Sequence, residues 1–273
     1  MKRSLGVAAS IVLAWQLSAE ATWSVIALDR QSKVVVIASA TCVPQQALER
    51  FPAKDLRDVQ AIVVPGKGVA AAQAAVDRTR ANQNLIFQEL QKGTDPARIL
   101  EMLRSDPAFD SRQFGILDMQ GRAAGSSGAK NQPVSLDRNA RVPGTDIHYA
   151  IQGNILASEA VVTDAMEAFA KASGELTDRV MAAMEAADAR GGDKRCTCET
   201  APKVDAPCDG KTAHVAYILL ARPGDPAGAT RDDVVYSMYI RVTDRDISPR
   251  ENANPVKTLR LRYDRWKRQS GRR

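Results

Sequence analysis

Two apolar runs near the N-terminus constrain the fold most. Thr22 to Leu28 and Val34 to Ala40 are rich in Val, Ile and Ala, and Asp29-Arg30-Gln31-Ser32-Lys33 separates them. Branched apolar residues favour extended chain, and a short polar segment between two such runs closes a β-hairpin. A half-buried strand alternates apolar and polar side chains. These runs are apolar at both parities, so the hairpin needs a covering layer on each face. Aromatic residues make up only 5% of the chain, so small side chains must pack those layers closely.

The following segments supply the layers. Ala61 to Val64 reads as a third strand, and a fourth runs from the Gly66-Lys67-Gly68 turn to Val76. Leu85, Ile86 and Leu90 fall at helical spacing. Asp95 and Pro96 open a second helix as cap and first residue, with Ile99, Leu100 and Leu103 on one face. Phe114 to Met119 and Arg122 to Ser126 form a hairpin around Gln120-Gly121, and Tyr149 to Gln152 is a strand. Ser158 is the expected cap of a helix bearing Val161, Val162, Ala165, Met166 and Phe169. Leu176 to Ala187 form another helix, which ends at Gly191-Gly192. Residues 193–212 hold a cysteine loop. Ala213 to Ala221 and Val234 to Val242 read as strands, and a basic helix starts near Pro255. Strands and helices come in groups without βαβ alternation, which predicts an α+β layered fold with mainly antiparallel sheets.

Residues 1–21 read as a cleavable signal peptide. Lys2 and Arg3 precede an uncharged apolar stretch from Leu5 to Leu17, and Ala19 and Ala21 supply small residues at −3 and −1. The apolar stretch is shorter than the roughly 20 residues that span a bilayer. A secreted or periplasmic protein beginning at Thr22 is the expectation. The organisation expected is a domain over 22–248 and a basic C-terminal helix or tail over 249–273.

Four cysteines, Cys42, Cys196, Cys198 and Cys208, suit disulfides in an oxidising compartment. Cys196 and Cys198 are too close to pair easily. Cys208 therefore pairs with one of them and Cys42 with the other. A metal site from Cys196, Cys198, Cys208 and His214 fits no common zinc spacing. From Pro255 onward there are eight basic residues and one acid, Asp264, so the net charge of +6 resides in the tail. That tail is a solvated helical end or a patch for an anionic surface. Nothing points to specific nucleic-acid binding, and an oligomer is compatible with the sequence. There is no phosphate loop, zinc-protease helix or G-x-S-x-G elbow.

Thr22 is the most informative residue. A threonine hydroxyl needs a base to become a nucleophile, and a free α-amino group, with a reference pKa of about 7.7–8.0, is one. Cleavage after Ala21 would give one residue both groups.

Thr22-Trp23-Ser24-Val25-Ile26-Ala27-Leu28-Asp29 resembles the opening strand of the domain-of-unknown-function family 1028. Ala150-Ile151-Gln152-Gly153-Asn154-Ile155-Leu156-Ala157 and the Gly191-Gly192-Asp193 segment, from Ala186 to Arg195, resemble further parts of it. The resemblance covers Thr22 to Arg195, and more weakly Ala213 to Ala221. It implies a four-layer αββα sandwich like that of the N-terminal-nucleophile hydrolases. Family members without a signal peptide commonly carry the matching Thr after the initiator Met, so two processing routes expose the same residue. Two departures stand out. Cys196-Thr197-Cys198-Glu199 replaces a Gly-Asp-Arg-Arg run, and Thr41-Cys42-Val43-Pro44 has no lysine of the kind that tunes a proteasome-like threonine. The second counts against proteasome-like peptidase activity.

These readings lead to an exported amide-bond hydrolase with Thr22 as nucleophile. Asn154 and Gln73 are expected to serve the oxyanion, and Asp193 to orient the α-amine or hold Arg195. Gln152 and His148 are weaker candidates. The substrate would be a small amide or peptide, and no cofactor or metal is implied. The alternative is a non-catalytic binding or envelope-assembly module on the same fold.

Overall fold

The computed structural model describes residues 22–51, 53–227 and 235–271. The signal peptide expected over 1–21, and Arg272 and Arg273 of the basic tail, lie outside the described residues.

The N-terminal hairpin forms as β1 (Thr22–Asp29) and β2 (Val34–Thr41). Asp29 closes its turn by accepting from the Gln31 amide and the Ser32 hydroxyl. β3 (Ala61–Val64), β4 (Gly68–Ala74), β5 (Arg112–Asp118) and β6 (Ala123–Ser127) build one antiparallel sheet in that order. The other sheet adds β7 (Leu136–Arg141), β8 (Ile147–Asn154), β9 (Val215–Ala221) and β10 (Met238–Thr243) to the hairpin, in the order β10-β9-β2-β1-β8-β7. Every strand pairing in both sheets is antiparallel. β1 is thus an inner strand, hydrogen-bonded on both edges.

Parity decides which layer each side chain enters. Trp23, Val25, Ala27, Val36, Ala38 and Ala40 point outward into a core shared with helices. Those helices are α5 (Ala160–Lys171), α6 (Leu176–Ala189) and α7 (Pro255–Ser270), numbered after four earlier ones. Ile26, Leu28, Val35 and Ile37 point inward and meet Val63, Val69, Ala71 and Leu117 of the facing sheet. The outer face of that four-stranded sheet, with Ile62, Val64, Ala70, Phe114 and Ile116, is covered by α3 (Ala81–Lys92) and α4 (Pro96–Leu103). The layers therefore run helix, sheet, sheet, helix, which explains the hairpin's apolar faces. Two short helices, α1 (Gln45–Leu48) and α2 (Leu56–Gln60), fill the return from β2 to β3.

Several local expectations shift. Asp95 accepts from the Ala97 amide and Pro96 opens α4, as the sequence indicates. Ser158 does not cap α5. Glu159 occupies that position without a side-chain bond, and the Ser158 carbonyl accepts from the Val161 amide. β10 is Met238–Thr243, and Val234, where the apolar run begins, lies outside the described residues. The strand β7 has no apolar signature because it is an edge strand with half-exposed residues.

The basic tail is a packed layer. Val256, Leu259 and Tyr263 are fully buried against the sheet that holds β9 and β10 and against α6. Its cations face acids of the body: Arg260 meets Glu185 at 2.7 Å, Arg262 meets Glu251 at 2.8 Å, and Lys267 meets Asp178 at 2.7 Å. Two disulfides tie the loops, Cys42–Cys196 and Cys198–Cys208. No helix among the described residues is long and apolar enough to cross a membrane.

Candidate functional site

The inter-sheet layer changes character along β1. Its lower half is apolar. At its start the same inward parity carries Thr22 and Ser24, so hydroxyls replace hydrocarbon. The register places Thr22 opposite Thr41, the last residue of β2, and opposite Asn154, the last residue of β8. Three polar residues thus end three adjacent strands in one row.

Their contacts are direct. The Thr22 backbone N–H donates to Asn154 Oδ1 at 3.2 Å, and its hydroxyl donates to Thr41 Oγ1 at 3.1 Å. Val43 N–H also donates to Thr41 Oγ1, at 3.2 Å. Gln73 reaches across from β4, and its Nε2 donates to the Thr22 carbonyl at 2.9 Å and to Gln113 Oε1 at 2.7 Å. Gln73 Oε1 accepts from the Ser24 hydroxyl at 2.7 Å and from Gln60 Nε2 at 2.8 Å. Gln113 in turn donates to the Gly153 carbonyl at 2.9 Å. An amide network therefore spans the two sheets and holds both chain directions around Thr22. Buried amides tolerate such a place only when most of their groups are paired.

The backbone is strained next to two of these residues. Ala74, after Gln73, has φ +69°, and Ile155, after Asn154, has φ +54°. Left-handed backbone costs an L-residue roughly 1–2 kcal/mol, and more for a branched one. Strain of this kind persists where surrounding bonds over-determine the chain, and it clusters at functional sites.

The remaining candidates are placed as follows. Asp193 is fully buried and forms an ion pair with Arg195 at 2.8 Å. Its second interaction is with the Cys42 amide at 3.1 Å, so it supports the chain beside Thr41 and does not touch Thr22. Gln152 donates to the Ala71 carbonyl at 3.2 Å, lower in the same layer. His148 lies opposite Leu28, at the far end of β8 from Thr22. Burial and the cations Arg30 and Arg141 lower its pKa, and no contact joins it to the site. Ser24, Thr41, Gln60 and Gln113 belong to the network but were not singled out by sequence. Parity with Thr22 identifies Ser24, whereas the two glutamines come from strands and helices distant in sequence. Thr22 is 4% exposed in the 273-residue chain. Two wide cavities, of about 550 and 530 Å³, open elsewhere, one beside Gln45 and Arg245 and the other beside Asp77 and Arg112.

The two antiparallel sheets, the outer helices and a threonine heading the central strand define an α+β sandwich with a polar inter-sheet end. The model of a family described as "Family of unknown function (DUF1028)" matches residues 22–215, and the chain belongs to that family. Its match begins at Thr22. A crystal structure of a protein from Silicibacter pomeroyi, assigned to the same family, is similar in fold: TM-score 0.62 and 20% identity, covering 90% of this chain and 88% of that one. No curated protein matches the chain.

Proposed function

We propose that this chain is an exported amide-bond hydrolase whose Thr22 becomes an N-terminal nucleophile when residues 1–21 are removed. The observation that carries the reading is the meeting of Thr22 with Thr41 and Asn154 at the head of three neighbouring strands. In the uncleaved chain the Thr22 nitrogen is a peptide amide and has no basicity. Cleavage turns it into an amine poised near neutral pH. That amine would accept the Oγ1 proton as Oγ1 attacks the substrate carbonyl carbon. It would then pass the proton to the leaving nitrogen, and water would release the acyl group from Oγ1.

We give Asn154 and Gln73 positioning roles. The Asn154 oxygen holds the Thr22 nitrogen, and Gln73 fixes the Thr22 carbonyl. Thr41 accepts from the Thr22 hydroxyl, and with no lysine in Thr41-Cys42-Val43-Pro44 the amine would supply the base. Two disulfides support an oxidising compartment and agree with an export signal. The test is an electrophilic amide or lactone probe applied to the processed protein, followed by mass spectrometry of the N-terminal peptide. A covalent adduct on Thr22 supports the reading, and an unlabelled N-terminus opposes it.

One observation favours a second reading. Thr22 is nearly enclosed, and its hydroxyl already has a partner. A non-catalytic binding module would keep the same polar network as a structural clamp. The same probe separates the two, because a clamp leaves Thr22 unmodified.

A further inference from the structure

A second cluster of reactive side chains lies beside the Thr22 network and takes no part in it. Cys42 follows the last residue of β2, Cys196 sits in the loop after α6, and His214 precedes β9. Their ligand atoms all lie within 4.8 Å of one another, and all three residues are buried. Each is held by its backbone. The His214 amide donates to the Thr41 carbonyl at 2.7 Å, the Cys196 amide to the Asp193 carbonyl at 3.1 Å, and the Cys42 amide to the Asp193 carboxylate at 3.1 Å.

His214 is the unexplained member. It is 1% exposed, and neither ring nitrogen has a hydrogen-bond partner. The Ala201 carbonyl sits beside the ring without completing a bond. A buried polar group left unpaired is costly, and native structures retain few of them. With the disulfide closed, the two sulfurs are poor partners for an imidazole. With it open, they are thiols, and beside an imidazole they form a soft donor set.

We propose that, when the Cys42–Cys196 disulfide is reduced, Cys42, Cys196 and His214 bind one soft divalent cation of the zinc class. The reduction needs a dithiol or phosphine. A dithiol gives two protons and two electrons to the sulfurs and becomes a disulfide. A phosphine takes an oxygen atom from water and becomes its oxide. Metal binding then displaces the two thiol protons. Two thiolates and an imidazole leave one of four tetrahedral positions open, as in zinc sites that keep an exchangeable ligand. The cation would pin the end of β2 to the loop after Asp193, which is the connection the disulfide makes when closed. This set excludes Cys198 and Cys208, which form their own bridge. The inference does not depend on whether Thr22 is a nucleophile.

The test uses the chain with Cys198→Ser and Cys208→Ser, which removes the other two thiols. It is reduced with a phosphine and titrated with Co²⁺ under argon. The proposal expects one Co²⁺ per chain, with thiolate charge-transfer bands and the visible bands of a tetrahedral site, bleached by Zn²⁺. Adding His214→Phe should weaken Co²⁺ binding at least about 100-fold, since even outer-shell changes cost 10–100-fold. Absence of the bands, or the same affinity with His214→Phe, would overturn it. If reduction unfolds the chain, recovery of near-ultraviolet circular dichroism on adding Zn²⁺ supports the site. Failure of Zn²⁺ to restore it contradicts the site.

Discussion

Asn154 and Gly192 meet successive residues of β1, Thr22 and Trp23, whose side chains leave opposite faces of the strand. Asn154 holds the Thr22 nitrogen in the inter-sheet layer. If that contact orients the processed threonine, Asn154→Ala should slow probe labelling by about 10²-fold, the order expected for a displacement near 1 Å. Labelling at the wild-type rate would remove Asn154 from the account. Gly192 closes α6 with φ +44°, and a Cβ there would lie 2.6 Å from the Trp23 ring and 3.0 Å from Thr212. Left-handed backbone alone costs an alanine roughly 1–2 kcal/mol, and the contact with a fully buried indole adds to it. Gly192→Ala should therefore lower stability by at least about 2 kcal/mol in denaturant titration. A neutral effect would show that the Trp23 layer yields more easily than its packing implies.

Among the elements, α7 behaves least as its composition suggests. Six cations in its sequence suggest a solvated helix, yet Val256, Leu259 and Tyr263 bind it to the core and Arg262 to Glu251 and Asp246. Deleting 255–273 should leave that core face bare and abolish cooperative unfolding. The hydrogen-bonded Arg262 holds the Glu251 carboxyl down to about 2. A depressed folded-state pKa contributes stability above the unfolded value, about 4.3, that is lost as pH falls toward about 2. Thermal stability should drop across that window, and less steeply with Glu251→Gln, which itself should cost about 2 kcal/mol at pH 7. The sequence made strong elements legible: β1, β2, β3, α4 and α6 follow from runs and caps. It hid β7, because an edge strand needs no apolar face, and α1 and α2, because one turn carries no period. Thr22, Asn154 and Gln73 were legible as candidates. Their meeting was not, because strand order and register bring residues 22, 41, 73 and 154 together. Gln60 and Gln113 are visible only once the sheets face each other.

Across the whole molecule, two closures of very different span hold the layers. Cys42–Cys196 closes a separation of 154 residues and Cys198–Cys208 one of 10. In the chain-entropy model these are worth about 5 and about 3 kcal/mol. Serine replacement of the first pair should therefore lower the denaturant midpoint more than replacement of the second, and the reverse order would contradict that ranking. The polar end of the sandwich gives the proposed export step its meaning, since Thr22 has an amine only when nothing precedes it. The most direct test compares the processed protein with a form carrying one extra residue before Thr22. Both keep the hydroxyl, but only the first has an N-terminal base. Probe turnover should fall by about 10²–10⁴-fold in the extended form, the contribution of a positioned general base. Equal turnover would contradict the N-terminal nucleophile, even with Thr22→Ala inactive.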